Sequence, residues 1–528
     1  MSLAKSLIKK GILISPEILK DQALLERLSE LPPQTLGKNI VIDKTFLQEK
    51  GLLPGQEIEK QEQKTVDEGV QEEKTREGKI GGEKEEIKEI KGLQKPGPGL
   101  QETGIKILFS YDKKPGKINI DDFVAHFNKR FSALSNMLRQ RQGLKDNISI
   151  NRLKNKVGRE KVQIIGMVLD KRTTKNKNII LALEDPTGQI NVLINNNKKD
   201  AYSLARDTVL DETIGVEGVV AGDIIFADKL TIPDIPNTQY LKKGPEKEYL
   251  ALLGDPHLGS NTFLENEFKD FIQWINSKKG NLQQKEIAEK IKYLIIIGDL
   301  VEGVGIYPGQ EKDLLIKDIK EQYDAIAEYL KQIPPNINIL ICPGNHDIGR
   351  ISEPQPPINH KYAASLKQLP NITMLSNPSL INIGAKPEQG FEGFDILLYH
   401  GYSLIYYADN VERIRSAGGQ KRPDLLMKFL LQRRHLAPTH TSNLYVPDPE
   451  ADPLIITHPP DFFITGHIHR VSVDNYKKTT MINCSCWSDI TEDMEKRGLQ
   501  PQPGKVPVIN LKTREVKIIN FFKQKNKT

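Results

Sequence analysis

The sequence predicts a multidomain α/β protein in which a helical N-terminal unit, a charged linker and a small β-barrel precede a C-terminal α/β domain. With 528 residues, the chain exceeds the roughly 100–200 residues of a usual single domain. A polar run of Glu, Lys, Gln and Gly interrupts it, and apolar strands alternate with helical stretches in its C-terminal half. We therefore expect a helical unit over 1–50, a flexible linker over 51–104, a helical or extended connector over 105–155, a barrel over 156–244 and the α/β domain over 245–528.

The N-terminal unit and the linker differ in composition. Leu3, Leu7 and Leu13 belong to a set of apolar residues at helical intervals, and Pro16 stands at a favourable first position of a helix. Between about residues 56 and 100, aromatic residues are absent and charged residues dominate. Such a segment buries too little apolar surface to offset its loss of conformational entropy. A disordered tether is therefore favoured there over a solitary charged helix.

The connector contains an amphipathic helix with one apolar stripe. Its residues recur every three or four positions, which places them on one helical face that we expect to pack on the following domain. His126, beside the stripe, is expected to be a core or surface residue and not a metal ligand. The stripe consists of Phe123, Phe127, Phe131, Leu134 and Leu138.

Short apolar runs predict the β-barrel. Runs over 162–168, 179–185 and 190–194 are followed by two more, and the turn at 186–189 joins two of them into a hairpin. This arrangement resembles an OB-fold, a barrel that often binds single-stranded nucleic acids. Phe226 is the only aromatic residue among these strands, so the barrel has few aromatic rings on which bases could stack. A scaffolding role is therefore favoured over nucleic-acid binding. Four basic residues near the first hairpin could contact phosphates: Lys171, Arg172, Lys175 and Lys177.

Overall composition limits the class of function only weakly. The net charge is +6 and the isoelectric point is near 8.8, which permits contact with polyanions without requiring it. Cys342, Cys484 and Cys486 are too few for a disulfide framework, which favours a reducing, cytoplasmic location. Cys484 and Cys486 are expected to alternate across a sheet and not to bind metal. No apolar run reaches the roughly 20 residues of a membrane-spanning helix, so no membrane partner is expected.

Five apolar strands of the C-terminal half each end in polar residues. An α/β fold places such residues together at the carboxyl edge of its sheet. Imidazole, carboxylate and amide donors suit Mn, Fe or Zn, and a lone Asp after a strand can bridge two metal ions about 3.5–4 Å apart. The five motifs are Asp255-Pro256-His257, Gly298-Asp299, Gly344-Asn345-His346-Asp347, His400-Gly401 and Gly466-His467-Ile468-His469.

Each motif has a structural explanation when it is taken alone. A Gly-Asp pair at a strand end is usually a turn, and Gly-Asn-His-Asp can cap a helix. Their joint occurrence in this order, each after an apolar strand, favours a metal site. Five of the ten histidines lie within the motifs. The others are expected to be structural or surface residues: His126, His360, His435, His440 and His458.

This ordered set of motifs resembles that of the calcineurin-like metallophosphoesterases, over roughly residues 249–525. The resemblance implies a four-layer α/β/β/α domain and two divalent metal ions, with Mn favoured and Fe or Zn as alternatives. It also implies a catalytic role for His346, which as an imidazolium would stabilise or protonate the leaving oxygen. The implied ligands are Asp255, His257 and His469 for one ion and Asn345, His400 and His467 for the other, with Asp299 as the bridge.

More narrowly, the chain resembles the small subunits of archaeal family-D DNA polymerases. The segments that carry this resemblance are 303–311, 353–356, 434–438 and 503–508. It implies a 3′–5′ exonuclease that proofreads by hydrolysing DNA phosphodiesters, preferentially at single-stranded or mismatched 3′ ends, and that binds a large catalytic subunit. One alternative is a non-catalytic scaffold of such a polymerase, which leaves the intact ligand set unexplained. The other is a stand-alone phosphoesterase, which leaves the linker and barrel unexplained.

Residues 516–522 near the C-terminus have two interpretations. Apolar residues recur there, and a similar run at 508–511 directly precedes them, so we expect a last strand of the sheet. A peptide that binds a sliding clamp is the less favoured alternative.

Overall fold

Two short strands near the N-terminus, β1 (Leu13–Ile14) and β2 (Val41–Ile42), pair in parallel. The assignment of Leu13 to a helical repeat is therefore wrong, because a strand suits the β-branched residues around this pairing. The rest of the predicted helical unit, and the linker as far as residue 103, lie outside the described residues. Besides these two strands, the computed structural model describes residues 104–113, 116–153, 158–237, 240–490, 494–495, 498 and 500–523.

The connector consists of a strand followed by two helices, β3 (Ile105–Ser110), α1 (Ile120–Arg139) and α2 (Ile150–Leu153). A capping box starts α1, because the side chains of Asn119 and Asp122 each accept a hydrogen bond from the backbone N–H of the other. This reciprocal pairing satisfies N–H groups that the first turn of a helix otherwise leaves free.

The apolar stripe of α1 packs on both domains that follow it. Leu138 is fully buried in a cluster with Ile165 of the barrel. Phe123 and Phe127 contact the ring of Tyr445 in the C-terminal domain, with centroids 6.1 and 6.4 Å apart. The predicted packing of the stripe is confirmed, and the helix holds the barrel and the C-terminal domain together.

Five strands and a helix form the second part of the fold: β4 (Glu160–Thr173), β5 (Ile179–Asp185), β6 (Gly188–Ile194), α3 (Lys199–Asp207), β7 (Thr213–Ala221) and β8 (Ile224–Thr231). The strands close a barrel in the order β4-β5-β6-β8-β7. Alternate residues such as Leu181 and Leu183 are fully buried inside it, as the period of a strand requires. The predicted barrel is confirmed.

The C-terminal domain supplies eleven strands to two sheets among the described residues. They are β9 (Tyr249–Leu253), β10 (Ile291–Ile297), β11 (Asn338–Cys342), β12 (Ile372–Met374), β13 (Ser379–Ile383), β14 (Phe394–Tyr399), β15 (Phe462–Thr465), β16 (Ser472–Tyr476), β17 (Thr479–Asn483), β18 (Lys505–Asn510) and β19 (Val516–Asn520). The helices are α4 (Glu265–Ile275), α5 (Leu282–Glu289), α6 (Ile319–Leu330), α7 (Ala364–Lys367), α8 (Leu404–Asn410), α9 (Glu412–Ser416) and α10 (Pro423–Arg433).

The two sheets have six strands each and stack face to face. The first has the order β12-β11-β10-β9-β18-β19, and the second has the order β16-β17-β15-β14-β13-β3. The connector therefore contributes an edge strand to the second sheet, since β3 pairs with β13 in antiparallel orientation. Strands β9 to β12 run parallel, as do β14 and β15. Their nearly continuous apolar sequences fit burial on both faces.

Three apolar clusters define four layers. One lies between the sheets and includes Leu252 and Ile396. A second packs α4, α5 and α6 on the outer face of the first sheet. A third packs α8 and α10 on the outer face of the second sheet. The predicted α/β/β/α domain is confirmed.

Buried ion pairs join α1 and the barrel to the C-terminal domain. Nε of Arg130 on α1 donates to Asp452 at 2.6 Å, and Nε of Arg433 on α10 donates to Glu212 of the barrel at 3.1 Å. Nε2 of His435 lies 2.8 Å from the same Asp452 carboxylate. Burial lowers the pKa of His435 to about 4, so the ring is neutral near pH 7. The predicted structural role of this histidine is confirmed.

The C-terminal run is a strand, as predicted. β19 pairs with β18 in antiparallel orientation, and the ring of Phe521 packs against Trp274 with centroids 5.6 Å apart. These aromatic contacts hold the segment in the fold. All three cysteines are free and buried. Within the described residues, helices long and apolar enough to cross a bilayer are absent.

Candidate metal centre

The five polar motifs meet at one edge of the sandwich. The first three follow the parallel strands β9, β10 and β11 of the first sheet, and the last two follow β14 and β15 of the second. Because parallel strands present their carboxyl ends at the same edge, the loops after them converge. The side chains of the predicted ligands form two adjoining clusters there.

The first cluster contains Asp255, His257 and His469, whose potential ligand atoms all lie within 4.8 Å of one another. Nε2 of His257 is 3.1 Å from Nε2 of His469, and the latter is 3.5 Å from Oδ1 of Asp255. Two imidazole nitrogens that face each other beside a carboxylate are a donor set suited to a divalent transition metal.

The second cluster contains Asp299, His400 and His467. Nε2 of His400 lies 3.2 Å from Oδ2 of Asp299 and 3.1 Å from Oδ1 of Asn345, which brings the predicted amide ligand into the group. Nδ1 of His400 donates to the carbonyl of Ile297 at 2.8 Å. That bond orients the ring and directs Nε2 toward the cluster, as outer hydrogen bonds do in metal sites.

Asp299 lies between the two clusters. Its Oδ2 is 3.2 Å from His400 in one cluster and 3.7 Å from Nε2 of His257 in the other. Burial opposes ionisation of this carboxyl, but the charges of His400 and His346 outweigh it and hold its pKa well below the usual range. An ionised oxygen shared by both clusters fits the predicted bridging role.

The imidazoles of the second cluster show that the donor set fits a metal ion. Burial opposes protonation of His400, but the Asp299 carboxylate raises its pKa to about 10. Burial and the charge of His400 lower the pKa of His467 well below the usual value. Nε2 of His467 is buried and has no hydrogen-bond partner among the described residues. A buried nitrogen lone pair without a donor is costly, and a divalent cation would satisfy it.

The candidate catalytic residue His346 lies beside the first cluster. Its ring is 4.7 Å from that of His257, and its Nδ1 donates to the carbonyl of Glu302 at 2.8 Å. Burial lowers the pKa of His346, while the charge of Asp299 acts in the opposite direction. Burial therefore favours the neutral ring over the imidazolium that the resemblance implies.

The backbone at the site is strained. Five candidate ligands adopt positive φ: Asp255 at 50°, His257 at 51°, Asp299 at 48°, His467 at 66° and His469 at 54°. Residues other than glycine rarely adopt this left-handed region. Such strain is concentrated at functional sites.

A glycine next to the bridging residue is required by close packing. A Cβ on Gly344 would lie 2.5 Å from the backbone nitrogen of Asp299. The loops after β10 and β11 could not approach each other with any larger residue there.

Two acidic residues around the ligands were not assigned a role from the sequence. Oε2 of Glu302 lies 2.9 Å from Nδ1 of His257, so this carboxylate orients a candidate ligand as well as accepting from His346 through its carbonyl. Asp347 accepts from the backbone N–H groups of Leu300 and Gly344 and braces both loops. The signal for Glu302 was its position three residues after Asp299, on the same strand-end loop.

One cysteine also lies near the ligands. Cys486 hydrogen-bonds the ring of His469, but the metal-capable groups found among the described residues contain histidines and carboxylates and no cysteine.

Comparisons with known proteins identify the family. A model of the DNA polymerase alpha/epsilon B-subunit family matches residues 250–473, which include all eight predicted site residues, and a model of the OB-fold nucleic acid binding domain matches 162–232. The DNA polymerase II small subunit of Methanothermobacter thermautotrophicus is 40% identical over 394 residues, which cover 74% of this chain and 78% of that relative. The chain belongs to the archaeal DNA polymerase II small-subunit family, which is the small-subunit family of the family-D polymerases.

A second member of the DNA polymerase II small-subunit family, from Methanocaldococcus jannaschii, is 37% identical over 394 residues. The match covers 74% of this chain and 64% of that relative, slightly less than two thirds of its length. A solved structure described as a novel archaeal phosphodiesterase aligns with 52% of this chain and 99% of its own, at 12% identity and a TM-score of 0.26.

Proposed function

We propose that this chain is the exonuclease subunit of a two-subunit archaeal family-D DNA polymerase and hydrolyses DNA phosphodiesters from the 3′ end. The observation that carries the proposal is the pair of ligand clusters joined by Asp299. Membership of the small-subunit family supports the polymerase context. A non-catalytic scaffold would have no use for seven converging donors.

The donors would hold two divalent ions. Mn²⁺ is the first choice and Fe or Zn the alternatives, because imidazole and carboxylate ligands accommodate all three. When bound, such ions supply Lewis acidity that neutralises charge on the phosphate oxygens. The proposed ligands are Asp255, His257 and His469 for one ion and Asn345, His400 and His467 for the other, with Asp299 shared.

His346 acts on the leaving group. A water oxygen forms the new bond to phosphorus in line with the departing 3′ oxygen, and one proton of that water passes to the solvent. The bond between phosphorus and the 3′ oxygen breaks. The negative charge of the bound phosphodiester raises the pKa of His346, so the ring takes up a proton from the solvent. This proton binds to Nε2, because Nδ1 already donates to the carbonyl of Glu302. His346 then gives this proton to the 3′ oxygen. The products are a nucleoside 5′-monophosphate and a strand with a free 3′ hydroxyl.

The barrel supports the assembly more than it reads DNA. Nζ of Lys171, one of the basic residues considered for phosphate contact, donates instead to the carbonyls of Arg206 and Thr208 at 2.6 and 2.8 Å. The buried pair of Arg433 and Glu212 attaches the barrel to the C-terminal domain. We propose that the large polymerase subunit is the partner held by this composite unit, and that DNA reaches the metal centre as a single-stranded or mismatched 3′ end.

The test uses 5′-end-labelled DNA in the presence of Mn²⁺, with the chain alone and with the large subunit. Single strands and primers with a mismatched 3′ end should shorten stepwise from that end, faster than matched primers. The matched control is Asp299→Asn, which removes the bridging charge and keeps the side-chain shape. Co-purification with the large subunit and no digestion of any substrate would leave only the scaffold interpretation. Digestion of p-nitrophenyl phosphate but not DNA would favour a stand-alone phosphatase.

A further inference from the structure

Two rows of aromatic rings extend from the candidate metal centre, and a tyrosine ends each row. On the side of the first cluster, the ring of His346 lies between those of His257 and Tyr307, with centroids 4.7 and 6.5 Å away. On the side of the second cluster, the ring of Tyr402 lies 5.5 Å from that of His467 at an angle of 40°. The two tyrosines therefore mark different ends of the site.

The two tyrosines differ in how they are held. The hydroxyl of Tyr307 donates to Asp313 at 3.0 Å, which ties that ring to its own loop. Tyr402 follows His400-Gly401 directly and is half-buried. In the described part of the chain, no hydrogen-bond partner is found for its hydroxyl. Tyr402 therefore presents an aromatic surface next to the proposed ligand His467, and no hydrogen bond among the described residues explains the position of its ring.

The proposed chemistry assigns the two ends to different parts of the substrate. His346 is the proposed acid for the departing 3′ oxygen, so the strand that leaves lies on the side of His346 and Tyr307. The nucleoside that keeps the phosphate then lies toward the second cluster, where Tyr402 is placed.

We propose that Tyr402 forms a subsite for the base of the 3′-terminal nucleotide, which stacks on its ring. This inference rests on the proposed nuclease function and adds the part of the substrate that the site recognises. Stacking tolerates any base because every base has a π-face. That property suits an exonuclease that must remove whichever nucleotide is at the end.

The experiment compares two esters with the same leaving group, thymidine 5′-(p-nitrophenyl) phosphate and methyl p-nitrophenyl phosphate, with Mn²⁺ present. In both, a water oxygen joins phosphorus and p-nitrophenolate departs, so only the retained group differs. Tyr402→Ala should reduce the preference for the thymidine ester, measured as the ratio of kcat/KM values, by about tenfold. Tyr402→Phe should restore that preference. Tyr406→Ala is the matched control, since the ring of Tyr406 packs on Tyr407 at 5.3 Å.

An equal loss on both esters would overturn the proposal, because it would mean that Tyr402 only positions His467. A second measurement separates this inference from the nuclease function. Calorimetry with Mn²⁺ should show that Tyr402→Ala weakens binding of thymidine 5′-monophosphate about tenfold and leaves methyl phosphate binding unaltered. If neither ester is hydrolysed, the digestion of end-labelled DNA decides the nuclease function, and this titration decides the subsite by itself. Equal thymidine 5′-monophosphate affinity in wild type and Tyr402→Ala would refute the subsite.

Discussion

Replacing Asp299 by Asn or by Ala separates the charge of the proposed bridging ligand from its shape. In the structure, Oδ2 faces His400 and His257 at 3.2 and 3.7 Å, and Oδ1 accepts the backbone N–H of His346 at 2.8 Å. An Asn side chain keeps the acceptor for that N–H but loses the negative charge that two cations would share. An Ala side chain loses both. The two variants should therefore agree in activity and differ in stability.

The expected stabilities follow from the local geometry. Asp299 has φ of +48°, where an Ala residue costs about 1–2 kcal/mol and Asn is tolerated. Removing the acceptor for the partly buried N–H of His346 costs about 1–3 kcal/mol more. Asp299→Ala should therefore lower the free energy of unfolding of the metal-free protein by about 2–5 kcal/mol more than Asp299→Asn does. Both variants lose the carboxylate that pairs with His400, so that loss cancels in the comparison. The difference is below the total stability of about 5–15 kcal/mol of a typical domain.

Urea unfolding in the presence of a chelator measures these stabilities, and calorimetric titration measures bound Mn²⁺. Both variants should lose DNA hydrolysis by more than about 100-fold, because the shared negative ligand is gone. The number of tightly bound Mn²⁺ ions should fall from two to one or none. Full hydrolysis by Asp299→Asn, or two tightly bound ions in that variant, would refute the bridging role. Equal stability of the two variants would refute the account of the strained backbone.

Three further predictions concern protons and buried charges. Because His400 has a pKa of about 10 in the metal-free protein, Mn²⁺ must displace a proton when it binds. The apparent affinity of the protein for Mn²⁺ should therefore rise with pH. Calorimetric titrations in buffers of different ionisation enthalpy should show the proton release. Burial raises the pKa of Glu353 from 4.5 to about 7, so the folded state binds this proton more tightly than the unfolded state does. The stability that Glu353 contributes is therefore present below about pH 4.5 and is lost as pH rises through about 7, by about 3 kcal/mol in all. Glu353→Gln should flatten this dependence of the unfolding free energy on pH, measured by urea unfolding of chelator-treated protein. Arg433→Met should lower the free energy of unfolding by about 3–5 kcal/mol, because it leaves Glu212 buried without its partner. In a double-mutant cycle measured by urea unfolding, adding Glu212→Gln should recover most of this loss.

The ligand motifs could be predicted from the sequence because each stands directly after an apolar strand. Strand-end positions such as Asp299 and His400 are visible as a change from apolar to polar residues, and parallel pairing within each sheet brings the ligands of that sheet to one edge. Glu302 lies near Asp299 in the chain, but that position alone does not show that its carboxylate contacts His257, which is 45 residues away. Local patterns therefore identify the ligands and miss the residues that orient them.

Long-range pairings explain the other differences between the sequence and the structure. Strand β3 lies in the connector, and only its pairing with β13 shows that it belongs to the second sheet. Arg130 borders the apolar stripe of α1 and is buried there, and its charge is neutralised by Asp452, which is 322 residues away in the chain. His435, in contrast, could be expected to be structural, since it lies in none of the five strand-end motifs. Periodicity reports on which face is apolar, but not on which charges are neutralised by distant segments.

The backbone at the metal centre bears on whether the site is catalytic or a remnant in a scaffold. Five candidate ligands lie in the left-handed region, and residues in such sparsely populated conformations cost about 1–3 kcal/mol each. The same loops bury an imidazole nitrogen of His467 without a hydrogen-bond partner among the described residues. A scaffold would be more stable if substitutions relaxed these features, whereas bound cations would offset them directly. Retention of both the strain and the unpaired nitrogen is therefore better explained by a site that binds metal ions than by one that has lost them.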